Sequence, residues 1–203
     1  MSSRNRNSHH QYPQGCAGRA ARGFSLVELM VTIAIIGILV GMAVPNFQGI
    51  INSGRLVSHA NELVASLQIA RSEAIRSNAR AVVCASADNS NCSGSARWTG
   101  WIAFVDSNRN GNRDVAETIL RSGTVAPTLV ITNSAAIGAG GSVIFRSDGL
   151  ARVSSGALLT ANIGVCVATT NPAQNARRVS IAAGSRFAIV RATDPTCASA
   201  PPN

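Results

Sequence analysis

Residues 23–33 read GFSLVELMVTI, and the apolar character continues to Val44. From Phe24 to Val44 only Ser25, Glu28 and Thr32 interrupt it, across 21 residues. As an α-helix rising about 1.5 Å per residue, the run covers about 30 Å, the thickness of a bilayer's hydrocarbon core. Arg4, Arg6, Arg19 and Arg22 crowd its N-terminal side without an acid, and the next cation is Arg55. That asymmetry leaves the N-terminus in the cytoplasm. A secretory signal cut after Ala43, at Gly41-Met42-Ala43, is the alternative; the length of the run and its acid argue against it.

Glu28 is the anomaly. An ionised carboxylate in lipid costs about 3 kcal/mol or more, so it needs a partner. The span supplies no cation within one helical turn. Cutting between Gly23 and Phe24 would create a new α-amine four residues before Glu28. The two charges would meet within one chain or, better, between neighbouring helices packed with a stagger.

These residues carry a resemblance. GFSLVELMVTIAIIGIL, residues 23–39, resembles the class III signal of type IV pilins and pseudopilins. The resemblance implies that a prepilin peptidase cuts after Gly23 on the cytoplasmic face and turns Phe24 into N-methylphenylalanine. It also implies that Glu28 neutralises the amino terminus of an adjacent subunit during assembly. Residues 1–23 are then a cleaved cytoplasmic leader, long but basic and acid-free, and residues 24–45 a transmembrane and assembly helix.

Pro45 lacks an amide donor and should kink or locally melt the helix. Past it, Leu56, Ala60, Leu63, Leu67, Ala70 and Ala74 recur at alternating steps of four and three residues, one apolar helical face. Arg55, Glu62, Arg71, Glu73 and Arg76 lie mostly off it. Residues 46–80 thus read as an amphipathic helix, running to about Asn78, that lays its stripe on a sheet.

After Arg80, short β-branched runs alternate with Gly, Asn, Asp and Ser clusters. The expected strands are Ala81–Ala87, Trp98–Asp106, Glu117–Gly123, Leu129–Asn133, Ser142–Ser147, Ile163–Thr169, Arg177–Ala182 and Arg186–Ala192. Short loops favour antiparallel pairing. The fold class is therefore α+β, a long helix on a β-rich head of antiparallel sheets at residues 81–197, followed by a loose tail, ASAPPN, at 198–203. Apolar residues make up 46% of the chain but aromatics only 4%, so the core must be built from Ala, Val, Ile and Leu.

Five cysteines are present, Cys16 in the leader and four in the head. An even set in an exported domain points to disulfides. Cys84 and Cys92 bracket the turn-like DNSN, and Cys166 on a late strand can reach Cys197 to pin the C-terminal segment. Zinc is the competing reading, but no C-x-x-C occurs and His9, His10 and His59 lie elsewhere.

The whole layout resembles the GspH/FimT branch of the pseudopilins, with GWIAFVDSNRNGNRD at residues 100–114 the most family-like segment of the head. This resemblance implies a minor pilin or pseudopilin that primes or caps a type IV pilus or a type II secretion pseudopilus. Its implied partners are major and minor pilins or pseudopilins, the prepilin peptidase and the inner-membrane assembly platform. The implied location is single-pass in the bacterial inner membrane, head in the periplasm, and later the filament.

Two further constellations stand out. Asp106, Asn108, Asn110, Asp114 and Glu117, with Gly111, satisfy the EF-hand loop pattern in full. Oxygen side chains fall at loop positions 1, 3, 5 and 9, with glycine at 6 and glutamate at 12. Against calcium, the loop joins two strands, and Arg109 and Arg113 offset two of its three negative charges; an Asn/Gly-rich hairpin turn is the plainer reading. Asn112 adds a further candidate oxygen. No other cofactor is expected.

The second concerns arginine, which supplies all 18 cations; there is no lysine. The net charge is +9, falling to +5 (14 arginines against 9 acids) once the leader is removed. Arg177, Arg178, Arg186 and Arg191 cluster late in the chain and would suit a phosphate backbone if they formed one strip. Some FimT-like minor pilins bind DNA for uptake through a G-R-x-R pattern in this region. The nearest match here, GSRFAIVR at residues 184–191, has an inserted serine and a wider arginine spacing. No catalytic set is visible, so the chain is not read as an enzyme.

Overall fold

The computed structural model describes residues 23–153 and 155–203, and at 42–46 the backbone alone. Residues 1–22 of the leader, with its arginines and Cys16, lie outside the described residues. The chain divides into two compact units, Met1–Met42 and Ala43–Asn203.

Helix α1, Leu26–Arg76, is assigned continuously through Pro45, where the sequence suggested a local break. Among the described residues no helix is long and apolar enough to cross a membrane. The apolar run of the sequence reaches Val44, past the last position of the span whose side chain is described. The helix stops two residues short of the expected Asn78 for a local reason. Asn78 adopts φ +49°, its N–H bonds to Ile75 O at 3.4 Å and the Ala79 N–H to Ala74 O at 3.2 Å. That is a Schellman ending, with asparagine in the left-handed position that glycine usually takes.

Among the described residues nine strands follow. Four form an antiparallel sheet in the order β4 (Ile119–Thr124), β3 (Gly100–Asp106), β1 (Arg80–Ala85) and β6 (Ser142–Phe145). Five form a second, in the order β2 (Arg97–Trp98), β5 (Leu129–Asn133), β7 (Ala161–Val167), β8 (Ala176–Ala182) and β9 (Arg186–Ala192). The expected strand Trp98–Asp106 is thus two strands in different sheets. The break falls at Thr99–Gly100, where a Cβ on Gly100 would stand 2.7 Å from Gly123 O and 3.0 Å from Ser86 O; only glycine allows that backbone approach.

The stripe Leu56, Ala60, Leu63, Leu67, Ala70 and Ala74 is wholly buried. It shares one core with the inward residues of both sheets, including Val83, Trp101, Ile131, Ile163 and Val179. Alternate residues of the first sheet, Val82, Cys84, Ile102 and Phe104, form a second small cluster on the opposite face, as the period of two along a strand requires. A thin aliphatic core is thereby closed by two tryptophans, each with its indole N–H satisfied: Trp101 donates to Ser66 Oγ at 2.8 Å and Trp98 to Asn133 Oδ1 at 3.0 Å.

Candidate functional site

The N-terminal unit is built from its cap. Ser25 Oγ accepts the backbone N–H of Glu28 at 3.2 Å, so Ser25 is the N-cap and Glu28 lies in the first turn, where a negative charge favours the helix dipole. In the sequence Ser25 stood only as an interruption of the apolar run, although S-L-V-E just before such a run is the capping-box pattern. Among the described residues no cation contacts the Glu28 carboxylate, which is exposed. Phe24 is 75% exposed and Val40 still 55%. Apolar side chains are exposed along the whole of this segment. Gly23 precedes the helix, with nothing within reach of a Cβ placed there.

In the head both disulfides form as the spacing suggested. Cys84–Cys92 spans 5.6 Å between Cα atoms, and Cys166–Cys197 spans 5.7 Å. Within the first loop Asp88 Oδ1 accepts the N–H of Asn91 at 2.7 Å and of Ser90 at 2.8 Å. These donors hold its carboxyl well below the usual carboxylate range. The second disulfide fastens the C-terminal segment across the outer face of β7. Residues 198–203, expected to be loose, are tied down there: Asn162 Nδ2 donates to Pro202 O at 2.6 Å and the Ala136 N–H to Asn203 Oδ1 at 3.0 Å. His59, on α1, packs edge-on against Trp101 with ring centres 6.5 Å apart.

The four late arginines do not make one strip. Opposite residues in the β8–β9 pair share a face, and Arg177 faces Arg191 whereas Arg178 faces Val190 and Arg186 faces Ala182. Arg177 and Arg191 therefore point to one side of the sheet and Arg178 and Arg186 to the other. Arg177 is also only 4% exposed. Its guanidinium donates to Gln174 O at 3.0 Å, Ala176 O at 2.9 Å and Ser53 Oγ at 3.1 Å. Burial, then the nearby Arg191, lowers its pKa. It fastens the sheet to α1 and is closed to a phosphate backbone.

The loop Asp106–Glu117 joins β3 to β4 and is internally bonded. Gly111 N–H donates to Asp106 Oδ2 at 3.1 Å, Ser107 N–H to Glu117 Oε1 at 2.7 Å and Asp114 N–H to Glu117 Oε2 at 3.0 Å. Asn108 and Asn110 give their side-chain amides to Asp114 Oδ2, and Asn112 N–H donates to Asn110 Oδ1 at 2.7 Å. Arg80 Nε lies 3.4 Å from Asp106 Oδ2. Among the described residues no three His, Cys, Asp or Glu side chains gather as a metal cluster.

Comparison with known proteins agrees with this architecture. A prokaryotic N-terminal methylation motif matches residues 18–44. The type IV minor pilin FimU of Pseudomonas aeruginosa superimposes with a TM-score of 0.52 at 24% identity, over 71% of this chain and 96% of FimU, which shows the fold. The minor pseudopilin EpsH of the type 2 secretion system of Vibrio cholerae gives a TM-score of 0.48 at 12% identity, over 68% and 97%. A type IV major alpha-pilin of Moraxella bovis is 46% identical over 46 residues, 23% of this chain. The chain thus spans only 29% of that curated relative's length. The profile of the type II transport protein GspH matches residues 59–185; with well over half its length so matched, the chain belongs to the GspH family.

Proposed function

We propose that this chain is a minor pilin or pseudopilin, a structural subunit that primes or caps a type IV pilus or a type II secretion pseudopilus. The observation that carries this reading is a bare apolar helix, exposed from Phe24 to Val40, with a single acid in its first turn. Such a surface needs lipid or other helices around it, and the acid needs a cation. Prepilin peptidase cleavage between Gly23 and Phe24 supplies the cation as an N-methylated α-amine. The methylation motif over residues 18–44 supports that step. Because Glu28 is exposed, its carboxylate is open to the amine of a neighbouring subunit.

The sequence of events follows from the chemistry. The unprocessed chain sits in the inner membrane, N-terminus in the cytoplasm and head in the periplasm. After processing it leaves the bilayer sideways into a helical bundle of major and minor pilins or pseudopilins, raised by the inner-membrane assembly platform. There the Glu28–amine pair replaces an unpaired charge in a dry environment.

Glu28→Ala separates assembly from processing. The variant should insert, be cut and be methylated as the wild type is, yet be missing from sheared filaments. Incorporation at the wild-type level would overturn the charge-pair reading.

A further inference from the structure

We infer that the Asp106–Glu117 loop binds one calcium ion. This site is separate from the assembly helix and does not rest on the filament reading.

The starting point is an electrostatic oddity. Asp106 is wholly buried, and its Oδ1 has no hydrogen-bond partner in the described structure. The carboxylate is turned into the loop, because its other oxygen accepts the Gly111 N–H at 3.1 Å. Arg80 Nε lies 3.4 Å from that second oxygen without a hydrogen bond to it, and Oδ1 itself accepts no donor. A buried carboxylate oxygen without a donor is costly, and a bound cation is the usual remedy.

The loop carries oxygen-bearing side chains in calcium's order along the chain. Counting Asp106 as the first position, Asn108, Asn110, Asp114 and Glu117 take the third, fifth, ninth and twelfth, and Asn112 offers a backbone carbonyl at the seventh. Gly111 at the sixth position has φ +81°, the sharp turn that this position needs. Glu117 is 7% exposed, with both oxygens held toward the loop by the Ser107 and Asp114 amides. Two of the side-chain ligands are asparagines, beside the three carboxylates of Asp106, Asp114 and Glu117. The Asn108 and Asn110 amides donate to Asp114 Oδ2, and their carbonyls accept the Asn110 and Asn112 N–H groups at 3.1 and 2.7 Å; an ion would draw Asp114 off the amides, each carbonyl keeping a second lone pair for it.

The flanking strands do not forbid this, since every donor lies within the loop itself. The arginines set the strength rather than the existence of the site. Arg113 turns its guanidinium to the Val115 and Glu117 carbonyls, and Arg80 gives an N–H to Arg109 O at 2.8 Å. Three carboxylates offset by these cations place the affinity in the weak class, about 10⁻⁴–10⁻³ M. Magnesium, smaller and strict about octahedral geometry, fits this set less well.

The test uses the purified full-length chain in detergent, stripped of metal with a chelator. Equilibrium dialysis against radioactive calcium should give one ion per chain, and calcium at about 5 mM should raise the melting temperature by about 2–4 °C, with a smaller shift for magnesium. Asp114→Asn should weaken binding at least about tenfold, and Glu117→Gln should abolish it. Asp114 is exposed, so its variant keeps the fold even where loss of the Glu117 hydrogen bonds unsettles the loop. No bound calcium at about 5 mM, equal shifts with magnesium, or full binding by Asp114→Asn would each overturn the assignment.

Discussion

The indole N–H of Trp101, on β3, donates to Ser66 Oγ, on α1, at 2.8 Å in a fully buried setting. Ser66 in turn gives its own proton to Glu62 O at 2.9 Å. One hydroxyl thus ties the first sheet to α1. Ser66→Ala strands the indole N–H and should cost about 1–3 kcal/mol in urea unfolding of the full-length chain. In a Trp101→Phe background the same change should cost much less. Equal costs in both backgrounds would remove this bond from the account.

The two disulfides should differ in weight. Cys166–Cys197 closes a separation of 31 residues and Cys84–Cys92 one of 8. Loop-closure entropy assigns about 3–4 kcal/mol to the longer and about 2–3 to the shorter. Replacing Cys166 and Cys197 by alanine should therefore lower the denaturation midpoint more than replacing Cys84 and Cys92. It should also open residues 198–203 to carboxypeptidase.

Asp88 makes stability depend on acid. Its folded pKa is depressed by the N–H donors of the Cys84–Cys92 loop, that of Asn91 first. Its contribution is therefore complete above the unfolded carboxylate pKa of about 3.9 and is lost as the pH falls from there toward the folded value. Asp88→Asn should be less stable than wild type at neutral pH, with the gap narrowing once the pH drops below about 4. A gap that stays constant across that window would rule out the ionised form as the cap.

Two neighbouring arginine types should behave oppositely. Arg177→Ala leaves the Gln174 and Ala176 carbonyls and Ser53 without their donor, and should destabilise the head by about 1–3 kcal/mol. Arg186 is exposed at the start of β9, and Arg186→Ala should stay within about 0.5 kcal/mol of wild type. Thermal unfolding of both variants settles the matter, and equal effects would contradict the burial argument.

Much of this was legible in the sequence, for reasons that differ by residue. The stripe from Leu56 to Ala74 could be read because only one period fits it, and each member is buried. The disulfides could be read because their number and spacing left little choice. The crossing between sheets at Thr99 could not, since alternation continues through Trp98 and Trp101 and nothing local marks Gly100 as a point of backbone contact. The C-terminal segment looked loose because small residues and prolines carry no periodic signal; its anchors, Asn162 and the Cys166–Cys197 bond, are distant in sequence. The arginine strip failed on a rule within reach: Arg177 and Arg178 are adjacent on one strand and so face opposite ways.

Glu28 holds the account together, and its charge is explained only if processing places a positive end beside it. N-terminal sequencing with intact mass measurement, on protein recovered from the membrane fraction, reads that end directly. The account predicts a mature chain that begins with singly N-methylated Phe24 and retains the whole apolar segment. A chain starting elsewhere, above all one cut after Ala43, would contradict it.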